Sequence, residues 1–247
     1  MEERQTAVSE PVRKKRNGRR PNPPNESVAG RNVSAGRSYL GTIPETRKML
    51  LEKGYEVFLR FGIEGVSMNE VAKAAGFGLA TLYRYFDKKQ GFVVEISTMK
   101  WKEFTDNNRK RRPHANFEGM TAADIFEFYL DSFLRLYRDH KDLLRFNQMF
   151  NIYVQSEGLD AATLKPYNDM IDSLEERFHI IYELAEKDNT IRTDISETEM
   201  FSTTLHLMLA VVTRYAMGLV YKPEGGFDDM KELETQKQML LSLYKTA

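Results

Sequence analysis

Residues 77–90 read FGLATLYRYFDKKQ, and the interpretation of the whole chain turns on them. Tyr83, Tyr85 and Phe86 fall within four positions, too many aromatic rings for a helix bathed in water. Thr81, Tyr83 and Arg84 crowd the same turn, too polar for a helix buried in a core. The flanks bound the segment on both sides. Upstream, Ser67 is followed three residues later by Glu70, a capping box that opens a short helix with Val71, Ala74 and Ala75 facing inward. Gly76 then supplies the left-handed stop of a tight interhelical turn. Downstream, Asp87 and Gln90 have the spacing of a second capping box, starting a helix through Phe92, Ile96 and Met99. The segment itself is therefore a very short helix.

Two short helices joined by a glycine turn make a helix-turn-helix, whose second helix enters the DNA major groove. The groove admits a bare helix when its leading residues are small. Gly78, Leu79 and Ala80 meet that condition, and Thr81 offers both a hydroxyl and a methyl group. Tyr83 and Tyr85 reach phosphates through their hydroxyls while their rings pack on protein. Arg84 reaches a guanine edge or a phosphate. Leu82 and Phe86, four apart, face inward and anchor the helix. Lys89 falls in the first turn of the next helix, where its ammonium and the free N–H groups clasp one phosphate.

Before this motif, the residues TIPE near position 42 place a Thr three residues ahead of a Glu, with Pro44 in the first turn. Leu50, Gly54, Phe58 and Phe61 follow at helical spacing until Gly62 and Gly65 end the helix. Residues 1–43 carry nine Arg and Lys against four Glu, and show no periodicity. They read as a disordered basic arm, either merely solubilising or adding phosphate contacts. Residues 93–247 carry 19 basic and 26 acidic residues, so a basic front sits on an acidic body although the formal net charge is zero. That asymmetry fits a front that meets a polyanion.

After the motif the pattern is helical throughout, with helices expected near 88–109, 121–138, 141–156, 160–187, 196–221 and 228–245. No β alternation and no internal repeat appear, so the fold class is all-α. The domains are expected at 1–43 (basic arm), 44–92 (DNA-binding) and 93–247 (effector-binding and dimerisation). There is no cysteine, and the four histidines lack metal-ligand spacing. No cofactor, metal or hydrolase motif is present, and no enzyme is expected. No apolar run approaches the roughly 18 residues of a membrane span, so a cytoplasmic protein associated with the nucleoid is expected. The basic run Arg109, Lys110, Arg111, Arg112 reads as favourable charge at a helix C-terminus or as a second DNA contact.

The run from Thr46 to Met99 resembles the N-terminal domain of the TetR family of bacterial transcriptional regulators. The matching residues are Leu50, Gly54, Phe58, Gly62, Ser67, Val71, Ala72, Ala75, Gly76, Thr81, Leu82, Tyr83, Tyr85, Phe86 and Lys89. The resemblance implies a dimeric, all-helical, repressor-like protein that binds a palindromic operator in double-stranded DNA. Its base and phosphate contacts carry over to Ser67, Leu79, Ala80, Thr81, Tyr83, Arg84, Tyr85 and Lys89. Two departures stand out. Gly78, Leu79 and Ala80 replace a more polar triplet before the Thr-Leu-Tyr signature. Gly54 replaces a usual alanine, a change costing about 1 kcal/mol of helix propensity unless it permits close packing.

The resemblance further implies a homodimer through the last two helices and a small-molecule effector bound between the middle helices. The candidate pocket residues are Phe128, Phe133, Tyr137, Phe146, Met149, Phe150, Tyr153, Phe178, Tyr182 and His206. The mixture of rings and amides in residues 146–153, FNQMFNIY, makes that stretch the centre of the expected pocket. The alternative is a DNA-binding accessory factor of the same fold without an effector, recognisable by a fully packed C-terminal domain.

Overall fold

Helices account for nearly all the regular structure of this computed structural model, which describes residues 43–110 and 117–246 apart from the side chains of residues 43, 44 and 177. The basic arm over residues 1–43, apart from the first helical residue, lies outside the described residues, as do Arg111 and Arg112 of the basic run. The helices are α1 (Ile43–Phe61), α2 (Met68–Ala74), α3 (Leu79–Tyr85), α4 (Lys89–Lys110), α5 (Ala122–Asp139), α6 (Lys141–Glu157), α7 (Ala161–Asp188), α8 (Glu197–Ala216) and α9 (Asp229–Tyr244). Among the described residues the extended pairing amounts to one isolated antiparallel bridge, Ile191 with Lys245, which ties the end of α9 to the α7–α8 connection. The all-α class is what the periodicity led to.

The helix ends follow from local chemistry. Ser67 caps α2, its Oγ accepting from the Glu70 N–H at 3.3 Å while the Ser67 N–H donates to Glu70 Oε2 at 2.8 Å. Thr121 and Asp124 form a second reciprocal box on α5. Gly62 and Gly76 both adopt positive φ, at 82° and 76°, where α1 and α2 stop. Four expectations need correction. The pairing of Asp87 with Gln90 is not a capping box: the first bond of α4 runs from the Phe92 N–H to the Lys88 carbonyl, which puts Lys88 at the N-cap. Gln90 instead donates to Glu157 on α6 at 3.0 Å. And α8 stops at Ala216 rather than near 221, because Gly218 turns left-handed at φ 73° and the Leu219 N–H folds back on the Arg214 carbonyl. Within α2 it is Ala72, not Ala74, that is buried beside Val71, and Phe61 at the end of α1 is exposed.

Two apolar clusters fill the interior. The first joins α1 to α4 around Leu50, Phe58, Leu82, Phe86 and Phe92, and is completed from below by Phe146, Phe150 and Tyr153 of α6. The second joins α5, α7, α8 and α9, and Trp101 and Phe104 enter it from the far half of α4. The boundary expected between residues 92 and 93 thus falls inside α4, a helix that serves both clusters. Gly54 explains itself here. A Cβ at that position would sit 2.5 Å from Phe92 Cζ and 2.8 Å from Ile96 Cδ1, so the missing side chain is what lets α1 and α4 touch. Lys237 on α9 is buried, and it is held by Asp131 at 2.8 Å, Glu234 at 2.7 Å and Glu127 at 3.2 Å, a charge cluster that fastens α9 to α5. No described helix is long and apolar enough to cross a membrane.

Candidate nucleic-acid interface

Within the segment 77–90, α3 is a helix of seven residues whose burial is one-sided. Leu82 is fully buried and Phe86, its C-cap, is 4% exposed, so the pair pins α3 to α1, α2 and α4. Phe86 packs edge-on against Phe92 with ring centroids 4.7 Å apart, and the Arg47 guanidinium lies over the Phe86 ring, 5.1 Å from its centroid. Leu79, Ala80, Tyr83 and Arg84 occupy the opposite side and are exposed, Tyr83 at 45%. Their i, i+1, i+4, i+5 spacing makes one solvated stripe of the helix that carries leucine, tyrosine and arginine together. Gly78 occupies the N-cap without a side-chain cap, which leaves the first N–H groups of α3 open at the leading edge.

Thr81 and Tyr85 are half-buried at the edges of the stripe, and the Arg84 guanidinium lies 5.3 Å from the Tyr85 ring centroid, which holds both side chains in register. Ser67 is exposed, but its hydroxyl is engaged in the cap of α2. The two backbone and side-chain bonds from Ser67 hold the Glu70 carboxyl below its usual range. Lys89 is only half-exposed. Its Nζ donates to the Glu64 carbonyl at 3.3 Å and lies 5.6 Å from the Tyr153 ring. Burial holds its ammonium below the usual lysine range, opposed by Glu157, Glu64 and Glu70. Lys89 therefore closes the α1–α2 loop in this structure, a role the residue pattern did not announce. Among the described residues, no group of three His, Asp or Glu side chains is arranged to hold a metal ion.

A second feature lies in the body. A cavity of about 120 Å³ opens between α4, α5, α7 and α8, walled by Trp101, Phe104, Tyr129, Leu174 and Ile181, with Asn108, Arg109 and Ser132 among its polar lining. Of the expected pocket residues, Phe128 and Phe133 line it. Phe178 stands behind the wall, its ring 5.4 Å from that of Tyr129. The others lie elsewhere. Phe146, Phe150 and Tyr153 are in the first cluster with Met149 packed against it, because the i, i+4, i+7 stripe of α6 faces α1. Tyr137 donates to Asp229 at the start of α9, and Tyr182 donates to the Thr193 and Ile195 carbonyls at 3.0 and 2.8 Å. His206 is exposed on α8. The residues missed on α4, Trp101 and Phe104, lie three apart on a different face of the helix from Phe92, Ile96 and Met99, and the spacing of the two rings was the signal available for them.

A short helix anchored on one face, bare on the other, and delivered by a capped helix and a glycine turn defines a helix-turn-helix DNA-binding module on an all-helical body. Residues 50–96 match the family model of bacterial regulatory proteins, tetR family. The chain is 28% identical over 168 residues to the HTH-type transcriptional regulator SAR2658 of Staphylococcus aureus strain MRSA252, covering 65% of this chain and 78% of that protein. It is 31% identical over 108 residues to the regulator SA2364 of strain N315, where the alignment spans 41% of this chain and 52%, about half, of the relative. Among solved structures, the transcriptional regulator FadR from Bacillus subtilis in complex with stearoyl-CoA superposes with a TM-score of 0.61 over 79% of this chain and 97% of that one, at 16% identity. Residues 50–96 thus match the DNA-binding region of the tetR family, and the chain as a whole is similar to transcriptional regulators of that kind.

Proposed function

We propose that this protein is a dimeric, ligand-responsive repressor that binds a palindromic operator in double-stranded DNA and is released by a small effector. The carrying observation is the outer face of α3: Leu79, Ala80, Tyr83 and Arg84 exposed together over the buried Leu82 and Phe86. Residues 44–92 are assigned to DNA, and residues 93–247 to effector binding and dimerisation. The dimer reading is supported by apolar side chains left bare on the last two helices: Leu207 on α8, and Met239 and Leu243, four apart, on α9. Two copies joined there would present two α3 helices to successive major grooves, about 34 Å apart. Site of action is then the cytoplasm, on the nucleoid.

The apolar cavity supports the effector reading over an accessory factor without a ligand, for which a fully packed body would be the expected finding. Its aromatic walls and few polar groups suit an apolar or amphipathic molecule, and the FadR structure with stearoyl-CoA is in keeping with that ligand class. Coupling runs along α4, which begins with Lys89 beside α3 and reaches the cavity at Trp101, Phe104 and Arg109. A ligand that favours one of two arrangements of this helix shifts the spacing of the recognition helices. The test is selection of bound duplexes from a random pool, followed by affinity measurement on variants. Tyr83→Ala and Arg84→Ala are expected to weaken binding about tenfold or more each, with helicity and oligomeric state unchanged. Wild-type affinity in both variants would overturn the assignment of α3.

A further inference from the structure

One buried amide lies where the two apolar clusters meet. Asn147 of α6 is 2% exposed, and its neighbours Phe146 and Phe150 belong to the first cluster. Its Oδ1 accepts the indole N–H of Trp101 on α4 at 3.1 Å and the phenol O–H of Tyr167 on α7 at 3.5 Å. Trp101 is a wall of the cavity. Tyr167 packs against both clusters, its ring 4.9 Å from that of Phe150. A single oxygen thus gathers the cavity wall, the helix under α1 and the start of α7.

An apolar side chain of similar size would pack at this seam without taking an amide out of water. What the amide adds is orientation, since it fixes where the indole points. Its two donors are unequal: the indole is within ordinary bonding distance and the phenol is at the edge of it. Burial pushes the Tyr167 hydroxyl up to about 12, so it stays protonated and remains a donor across the physiological range. Moving the indole leaves the oxygen a second partner already in place. An oxygen that holds both donors in one arrangement and the phenol alone in another gives the seam two discrete states, which both sites can bias.

We propose that Asn147 is a positioning residue that couples the cavity to the DNA-binding face. Displacement of the Trp101 indole from the cavity wall leaves Tyr167 as the donor that holds the Asn147 oxygen and shifts α6, which carries Phe146 and Phe150 beneath α1. Phe146 meets the Tyr55 ring of α1 at 5.0 Å, so the shift is felt in the helix that packs on α2, and through α2 in α3. The inference rests on the regulator reading above. Because coupling is reciprocal, DNA on α3 must in turn alter the surroundings of Trp101.

Trp101 is the chain's single tryptophan, so intrinsic emission reports on it alone. The full chain is titrated with a duplex recovered by selection while acrylamide quenching of that emission is followed. In the wild type, saturation with DNA is expected to change the quenching constant about twofold. Asn147→Leu and Tyr167→Phe are expected to bind the same duplex within about threefold of wild type, yet to show no quenching change on binding. Tyr167→Phe removes one hydroxyl only and serves if Asn147→Leu fails to fold. A wild-type signal that stays flat on a bound duplex, or variants that respond as the wild type does, would overturn the role of Asn147 alone. Recovery of no bound duplex would overturn the regulator reading, and this inference with it.

Discussion

The stretches FGLATLYRYFDKKQ on α3 and FNQMFNIY on α6 have similar compositions and opposite fates. Both interleave aromatic rings with amides, hydroxyls or charges. On α3 the ring of Tyr83 is 45% exposed, and only Leu82 within the helix is buried. On α6 the rings of Phe146, Phe150 and Tyr153 are each exposed by 1% or less. What separates them is position on the helical wheel. The α6 aromatics recur at i, i+4 and i+7 and make one inward stripe, whereas Tyr83 lies off the stripe that Leu82 and Phe86 define. A mixture of rings and amides is therefore no mark of a pocket, and the phase of the rings relative to the anchoring pair is the informative quantity.

The contrast can be broken most directly at Phe150. Replacing that buried ring by alanine should cost about 3–5 kcal/mol of stability, read as a lowered urea midpoint. DNA affinity should fall with it, since the residue belongs to the core beneath α3. Tyr83→Ala should do the reverse, losing about tenfold or more in affinity while the unfolding midpoint stays within about 0.5 kcal/mol of wild type. If Tyr83→Ala unfolded the protein, the outward reading of α3 would fail.

A finer test is Gly54→Ala. Helix propensity alone favours alanine by about 1 kcal/mol. The added Cβ would press on the buried Phe92 and Ile96, and overpacking of that kind costs about 1–3 kcal/mol. Net destabilisation, seen as a lower Tm, is expected. A raised Tm would show that α1 and α4 can separate freely at that point.

The smallest effect concerns the cap of α2. Glu70 is a carboxyl whose folded-state value is depressed by Ser67, so its contribution is present at neutral pH and is lost as pH falls through that depressed value. Ser67→Ala should remove about 1 kcal/mol at pH 7 and flatten the acid limb of a stability–pH profile. An unchanged acid limb would show that the Ser67 bonds do not hold Glu70 in solution.

Legibility in the sequence varied from element to element. The α2 cap, the Gly76 turn and the inward pair of α3 were readable because each depends on residues within four positions of one another. The same locality hid the end of α8, where Gly218 outweighed a long apolar run. The cavity was less accessible. Only Phe128 and Phe133 were foreseen on it, while Trp101, Phe104 and Tyr129 come from helices whose mutual approach no local pattern states. Lys89 shows a related gap: its position beside α3 was readable, but not its bond to the Glu64 carbonyl, 25 residues away.

By itself the chain determined that it is all-helical, where the short second helix of its helix-turn-helix lies and which side of that helix is held down. These are properties of spacing and of backbone hydrogen-bond satisfaction, which act over one or two turns. The tertiary structure alone decided that α6 supports the first cluster rather than lining a pocket, that Gly54 is a point of helix contact, and that one amide oxygen at Asn147 gathers three helices. Those outcomes depend on which faces meet across tens of residues, and close packing selects them only once every neighbour is in place.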